Sequence, residues 1–229
     1  MLKDIGIVIP SLERNRYSPL GDLVKFGNST LLEWKIIQLL KIADKRDIYV
    51  ATPSEKIADI VKEYGVNLIK REEGGGIQDM LDRTIQGINR KYILWTKATS
   101  PFIGPKHYSS IIKQFLTLDE NKYDSIITVL KMQEYIIYKK AFLNFSSSVS
   151  ESRGSIEPVY KVTNSCSMAK KETCLKHKKD FGTAPFLFEL DKFVAMEISE
   201  IDDDAILNDL LTHYFRRDLD IREKQLWKE

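Results

Sequence analysis

Short runs rich in Val, Ile and Leu alternate along the first half of the chain with stretches in which apolar residues recur every three or four positions. The first run, Ile5–Pro10 (IGIVIP), is continuously apolar and ends in proline, the pattern of a strand buried on both faces of a parallel sheet. A polar loop, Ser11–Gly27, leads to a helix that opens at Thr30. Thr30 and Glu33 form a capping box, and Leu31, Leu32, Ile36, Leu39 and Leu40 make one apolar face. Ile48–Thr52 predicts a second strand. Ser54 caps a helix carrying Ile57, Ile60, Val61 and Tyr64, which Gly65 ends. Val66–Ile69 predicts a third strand, followed by the loop Lys70–Gly76 with its consecutive glycines. A helical pattern over Ile77–Ile88, a buried strand at Tyr92–Thr96, a helix over Lys106–Leu116 and a strand at Ser125–Leu130 continue the rhythm. This is the spacing of βαβ units, so the expected class is α/β: a mostly parallel sheet with helices on both faces.

From Lys131 the rhythm breaks. Residues 131–158 mix aromatic and basic groups with the serine-rich segment Ser146–Ser152, which predicts an excursion from the sheet. Val159–Thr163 and Ala184–Leu190 read as strands flanking a basic helix around Lys170–Lys178. An acidic turn, Glu200–Asp204, and a helix, Ala205–Phe215, follow. Neither an internal repeat nor an interdomain linker is visible, so residues 1–229 are expected to form a single domain with its excursion inside 131–190.

Composition narrows the partners. With 229 residues the chain can bury a core as one domain. Its formal net charge of +2 gives no global electrostatic reason to bind nucleic acid or an anionic membrane, and neither is expected. The apolar runs fall far short of the ~20 residues of a membrane span, and residues 1–10 lack the marks of a secretory signal. Cys166 and Cys174 are expected to be reduced thiols, and the cytoplasm is the expected compartment.

In an open α/β sheet ligands gather beyond the carboxyl ends of the strands. Loop Ser11–Gly27 brings Glu13, Arg14, Arg16, Asp22 and Lys25 to that rim, where Arg14, Arg16 and Lys25 can hold phosphates; a solvated surface loop is the competing reading. Neither a P-loop nor a dinucleotide glycine fingerprint is present. At the end of the strand Tyr92–Thr96, Thr99 and Ser100 offer hydroxyls and backbone N–H groups, Pro101 fixes the turn, and Lys97 adds a cation. In the acidic turn, Glu200 and Asp202 can hold Mg²⁺, while acidic residues at a helix start also serve as caps. Arg153 can pair a carboxylate and Asn164 can read hydroxyls, unless both are plain surface. His107, His177 and His213 have no partners at a catalytic spacing, so no nucleophilic triad is supported.

Four stretches in this order, IVIPSLERNRYSPLGDLVKFGNSTLLEWKI, YILWTKATSPF, RGSIEPVYKVTNS and ISEIDDDAILNDLL, resemble the acylneuraminate cytidylyltransferase family. These enzymes make CMP-activated sialic and related nonulosonic acids, and CMP-Kdo synthetase is a cousin. The resemblance covers nearly the whole chain. It implies a Rossmann-like, three-layer α/β/α nucleotidyltransferase fold with a small projecting dimerisation element, and hence a homodimer. It also implies Mg²⁺-dependent transfer of CMP from CTP to a nonulosonic 2-keto sugar acid with release of pyrophosphate. By position it implies Arg16 and Arg71 on the nucleotide, with Leu12, Arg14, Asp22 and Lys25 in the same loop region. Arg153 and Asn164 fall on the sugar side with Lys97, Thr99 and Ser100; Glu200 and Asp202 fall on the metal, with Arg16 and Asp202 the catalytic pair.

The chain departs from the family at several of these positions. Leu12 stands for an arginine, Gly21 for a phosphate-binding lysine, Asp22 for an asparagine, Lys97 and Ala98 for Gln-Pro, and Glu200 for an aspartate. These departures keep two alternatives open: another sugar nucleotidyltransferase using a different nucleotide or a sugar phosphate, and a nucleotide-binding homologue that has lost catalysis.

Overall fold

The computed structural model describes residues 2–15, 18–72, 77–146 and 152–198. Among these, seven strands form one sheet: β1 (Ile5–Pro10), β2 (Ile48–Thr52), β3 (Asn67–Lys70), β4 (Tyr92–Thr96), β5 (Ser125–Met132), β6 (Val159–Lys170) and β7 (Pro185–Glu189). Their order is β3-β2-β1-β4-β6-β5-β7. The pairs β1–β2, β1–β4, β2–β3 and β5–β7 are parallel, and β6 runs antiparallel to β4 and β5. The expected α/β class and mostly parallel sheet are therefore present.

Side chains alternate across β1 as the pleat requires. Ile5, Ile7 and Ile9 pack with Leu32, Ile36 and Leu39 of α1 (Leu31–Leu40), Ile57 and Val61 of α2 (Glu55–Tyr64), and Tyr108 and Ile111 of α4 (Pro105–Leu116). Val8 faces the other way, onto Leu81 and Ile85 of α3 (Ile77–Gln86) and Cys174 of α5 (Lys171–His177). Three layers result, with a core on each face of the sheet. Each fully buried Ile or Leu contributes roughly 1.5–3 kcal/mol by leaving water.

Local chemistry sets the helix ends. Thr30 Oγ1 accepts the Glu33 N–H at 3.2 Å, and the Thr30 N–H donates to Glu33 Oε2 at 2.7 Å, completing the capping box. Ser54 Oγ accepts the Ile57 N–H at the start of α2, and Gly65, at φ +66°, closes that helix in the left-handed region.

One element differs substantially from its expectation. A strand over Val159–Thr163 and a helix from Lys170 were anticipated; instead β6 continues to Lys170 and α5 begins at Lys171. Val162 faces Val129 but Ser167 faces Ile127, so β6 bulges in between. Thr128 bridges the broken ladder: its Oγ1 accepts the Cys166 N–H at 3.0 Å, accepts the Thr163 hydroxyl at 2.7 Å and donates to the Cys166 carbonyl at 2.9 Å. The Thr163 and Ser167 hydroxyls of this central strand are paired, with Thr128 and Asp180, whereas the buried Ser165 hydroxyl has no partner among the described residues. Smaller differences are shifts of one or two residues: β3 starts at Asn67 instead of Val66, β5 runs on to Met132 instead of Leu130, and α3 ends at Gln86 instead of Ile88.

Strands β6 and β7 and helix α5 belong to the main layers, and the described part of the excursion, residues 133–146 and 152–158, lies inside the range 131–190. It carries a short antiparallel ribbon, Ile137–Tyr138 against Ala141–Phe142, on which Ile137, Tyr138 and Phe142 are exposed. Cys166 and Cys174 are free and buried. No helix among the described residues is long and apolar enough to cross a membrane.

Candidate active site

A cleft of about 470 Å³ opens at the carboxyl ends of β1, β3 and β4. Pro10, Leu12, Asn15 and Asp22 come from β1 and the loop after it, Arg71 from the end of β3, and Lys97 and Thr99 from the turn after β4. Met80, Leu81 and Trp95 form an apolar wall, while Asn164 and Asp180 close the far side. The β6 bulge brings Asn164 to the cleft.

The loop after β1 is pinched shut. The Asp22 N–H donates to the Leu12 carbonyl at 3.0 Å, and the Leu12 N–H donates to Asp22 Oδ2 at 3.3 Å. Gly21 makes this possible: at φ +50° it lies in the left-handed region, and a Cβ there would collide with the Leu12 carbonyl oxygen. A lysine at position 21 is incompatible with this loop. Glu13 ties the loop to the start of α2, accepting from the Ser54 hydroxyl at 2.8 Å and pairing with Lys56 at 2.7 Å.

Asp22 is buried, and burial pushes its carboxyl up to about 6, against the pull of the Leu12 N–H and of the nearby Lys97 and Arg71 cations. Arg71 is half-buried, with its backbone N–H on the Thr52 carbonyl at 3.0 Å. Burial lowers its pKa while Asp22 opposes that shift. Its buried Nε has no hydrogen-bond partner among the described residues. An unpaired guanidinium N–H in a cleft is a donor waiting for a ligand acceptor.

The turn after β4 is held from below. Trp34 Nε1 and Gln38 Nε2 donate to the Pro101 carbonyl at 2.8 and 3.1 Å, and Lys35 Nζ to that of Ser100 at 2.7 Å. Above, the Ile198 N–H donates to the Thr99 carbonyl at 2.8 Å. Across the cleft, the Ser167 hydroxyl donates to Asp180 Oδ2 at 2.6 Å, and Asn164 Nδ2 to Glu197 Oε2 at 3.2 Å.

Of the residues singled out in the sequence, the fold gathers Leu12, Asp22, Arg71, Lys97, Thr99 and Asn164 around this cleft. Four further described ones, Arg14, Lys25, Ser100 and Arg153, are not among its lining residues. Arg14 and Lys25 are exposed, Lys25 on a short ribbon leading into α1. Ser100 is buried beneath the turn. Arg153 is exposed on the excursion, with Nη1 3.3 Å from Glu134 Oε2. Arg16, Glu200 and Asp202 lie outside the described residues. Sequence reasoning missed Asn15, Trp95 and Asp180: Asn15 shares a loop with the flagged residues, whereas Asp180 follows the basic run Lys176–Lys179, and no local signal separates it.

Residues 20–197 match the sequence pattern of the cytidylyltransferases. The chain belongs to the cytidylyltransferase family. Among similar members, the 3-deoxy-manno-octulosonate cytidylyltransferase of Rickettsia bellii (strain OSU 85-389) is 30% identical over 139 residues, covering 58% of this chain and 54% of that protein. The enzyme of the same name from Rickettsia felis (strain ATCC VR-1525 / URRWXCal2) is 31% identical over 137 residues, 57% and 53%. The chain thus spans about half the length of these relatives. They carry the name of the Kdo branch and not that of the acylneuraminate branch which the motifs resemble.

Solved structures agree on the cytidylyltransferase fold. The 4-diphosphocytidyl-2C-methyl-D-erythritol synthase of Anaerococcus prevotii DSM 20548 superposes with a TM-score of 0.67 at 13% identity, covering 91% of this chain and 96% of that one. A CMP:2-keto-3-deoxy-manno-octonic acid synthetase complexed with CTP gives 0.66 at 13% identity, covering 91% and 97%. At that identity the likeness concerns architecture alone.

Proposed function

We propose that this cytidylyltransferase transfers CMP from CTP to the anomeric hydroxyl of a 2-keto sugar acid and releases pyrophosphate. The observation that carries the reading is the half-buried Arg71 beside Asp22, whose guanidinium Nε has no partner among the described residues, at the carboxyl end of the sheet of a cytidylyltransferase. Arg71 donates to an acceptor on the base, Asp22 accepts from its amino group, and Met80, Leu81 and Trp95 cover its apolar face. Lys97, Thr99 and Asn164 hold the acceptor. The anomeric oxygen attacks the α-phosphorus, the bond to the bridging oxygen breaks, pyrophosphate leaves with that electron pair, and the hydroxyl proton passes to solvent. Arg16 is assigned to the departing pyrophosphate. The protein's part is positioning and electrostatic stabilisation.

Mg²⁺, when bound, neutralises triphosphate charge and lowers the pKa of the attacking hydroxyl. The described residues contain no group of three or more His, Cys, Asp or Glu able to hold a metal. Glu200 and Asp202 are assigned as its ligands. Ile198, bonded to Thr99, brings the chain to the edge of the cleft just before them.

The Kdo-like acceptor is favoured by the names of the relatives. A nonulosonic acid is the second reading, favoured by the Thr99-Ser100-Pro101 turn that resembles the acylneuraminate motif. Pyrophosphate release, measured with each nucleoside triphosphate and Mg²⁺ against Kdo and a set of nonulosonic acids, tests both. CTP-selective release is expected; release with another triphosphate, or with no sugar acid at all, would overturn the assignment. The exposed Ile137, Tyr138 and Phe142 support pairing of two copies through the excursion. Light scattering should give a dimer mass at micromolar concentration, and a monomer mass would remove that claim.

A further inference from the structure

Lys35 lies on the core face of α1, wholly buried, where the helical pattern calls for an apolar residue. Its Nζ donates to the Ser100 carbonyl at 2.7 Å, to Tyr108 Oη at 2.8 Å and to the Ile103 carbonyl at 3.5 Å. Counting hydrogens fixes the direction of the chain beyond it. Thr96 gives its one hydroxyl proton to the Ser165 carbonyl at 2.7 Å, so at 2.8 Å it accepts from Tyr108. Tyr108, its proton committed, accepts from Lys35. The N–H groups of an ammonium fill all these acceptors. A neutral amine has one N–H fewer and would turn a lone pair toward an oxygen.

Completeness of the network therefore demands the charged form, and burial opposes it, lowering Lys35 to about 7. The titratable groups against it are Tyr108 from α4 and Cys166 from β6, both pushed up by burial and uncharged through the neutral range. Its hydrogen-bond partners among the described residues include no carboxylate.

Lys35 is also the centre of a larger grip. With Trp34 and Gln38 on Pro101, α1 holds the carbonyls of Ser100, Pro101 and Ile103. The same turn presents Thr99 to the cleft and receives the Ile198 N–H.

We propose that Lys35 is a positioning residue, whose buried ammonium locks the turn of residues 97–103 onto α1 and α4 and thereby sets Thr99 and the segment at Ile198 for the acceptor half of the cleft. The proposal rests on the reading of this cleft as the site of nucleotidyl transfer. Its test uses the full chain, with two readouts. Hydrogen exchange of peptides covering residues 97–103 and 198, corrected for intrinsic rates, is followed from pH 6 to 9. Pyrophosphate release is measured with CTP, Kdo and Mg²⁺. In the wild type, protection of the turn is expected to fall at least fivefold as pH rises through about 7, and Lys35→Met is expected to lose that protection at every pH. Lys35→Met should raise KM for Kdo at least tenfold while KM for CTP stays within twofold. Tyr108→Phe keeps the ring and removes one acceptor, and should weaken protection without abolishing it. Wild-type protection that ignores pH, or a Lys35→Met protein with protection and KM for Kdo within twofold of wild type, would overturn the proposal. If wild type releases no pyrophosphate with any sugar acid, the functional reading fails, while the exchange profile still decides whether Lys35 fixes the turn. If Lys35→Met does not fold, the wild-type profile and Tyr108→Phe decide it.

Discussion

Asp22→Asn should make the protein more stable, increasingly so as pH rises. The Asp22 carboxyl moves from 3.8 to about 6 on folding because it is buried. A raised carboxyl binds its proton more tightly in the folded state, so stability is highest below the unfolded value and falls as pH climbs toward the folded one. Linkage gives a penalty of about 1.6 kcal/mol at pH 5 and about 3 kcal/mol at pH 8, with nearly all of it in place by pH 7. Asparagine has no charge to desolvate, and its oxygen can still accept the Leu12 N–H that Asp22 Oδ2 accepts now. Urea unfolding of both proteins at pH 5, 6, 7 and 8 would read this directly. The gain in stability should grow by roughly 1.5 kcal/mol across that range, or several degrees in Tm. The same variant should bind CTP less well, since an ionised carboxylate at the base is replaced by an amide, so stability and binding move in opposite directions. A gain that stays constant with pH, or a loss at pH 8, would refute the claim that Asp22 is ionised at a cost in the folded cleft.

Further outcomes follow from other residues. Arg71→Ala should weaken CTP binding by about 2 kcal/mol, the scale of a hydrogen bond to a charged group, while leaving the thermal transition within a few degrees; calorimetry with CTP checks it. Thr30→Ala removes one half of the α1 capping box and should cost about 1 kcal/mol in urea unfolding, against almost no change in KM. Asp202→Asn should abolish most Mg²⁺-dependent pyrophosphate release with the circular dichroism spectrum unchanged, because asparagine caps a helix as well as aspartate but lacks the charge that holds a hard cation.

Much of the architecture was legible because its signals are local. IGIVIP can hardly be anything but a buried strand, and Thr30 with Glu33 states the start of α1 outright. The rim of the cleft was legible for a topological reason, since Leu12, Asp22, Arg71, Lys97 and Thr99 all follow the carboxyl ends of parallel strands. What escaped depends on partners distant in sequence. The second half of β6 (NSCSMAK) looks like a loop until Thr128 is seen bridging its bulge. Arg153 looks like a carboxylate binder, and Glu134 supplies a carboxylate from within the chain. Lys35 was passed over inside an apolar helix because its acceptors are carbonyls and a phenol, which no spacing rule flags.

The antiparallel course of β6 makes the excursion the tip of a long hairpin, with Met132 and Val159 already side by side at its base. A segment inserted between two adjacent, mutually bonded positions adds only loop-closure entropy to the parent fold, which grows slowly with length. The excursion is thus a module that evolution can lengthen, trim or refit with new surface chemistry while the sheet stays closed beneath it. Because β5 runs parallel to β4, this interchangeable tip leaves the sheet on the same side as the cleft, so a change in what it contacts also changes what stands beside the entrance to the site.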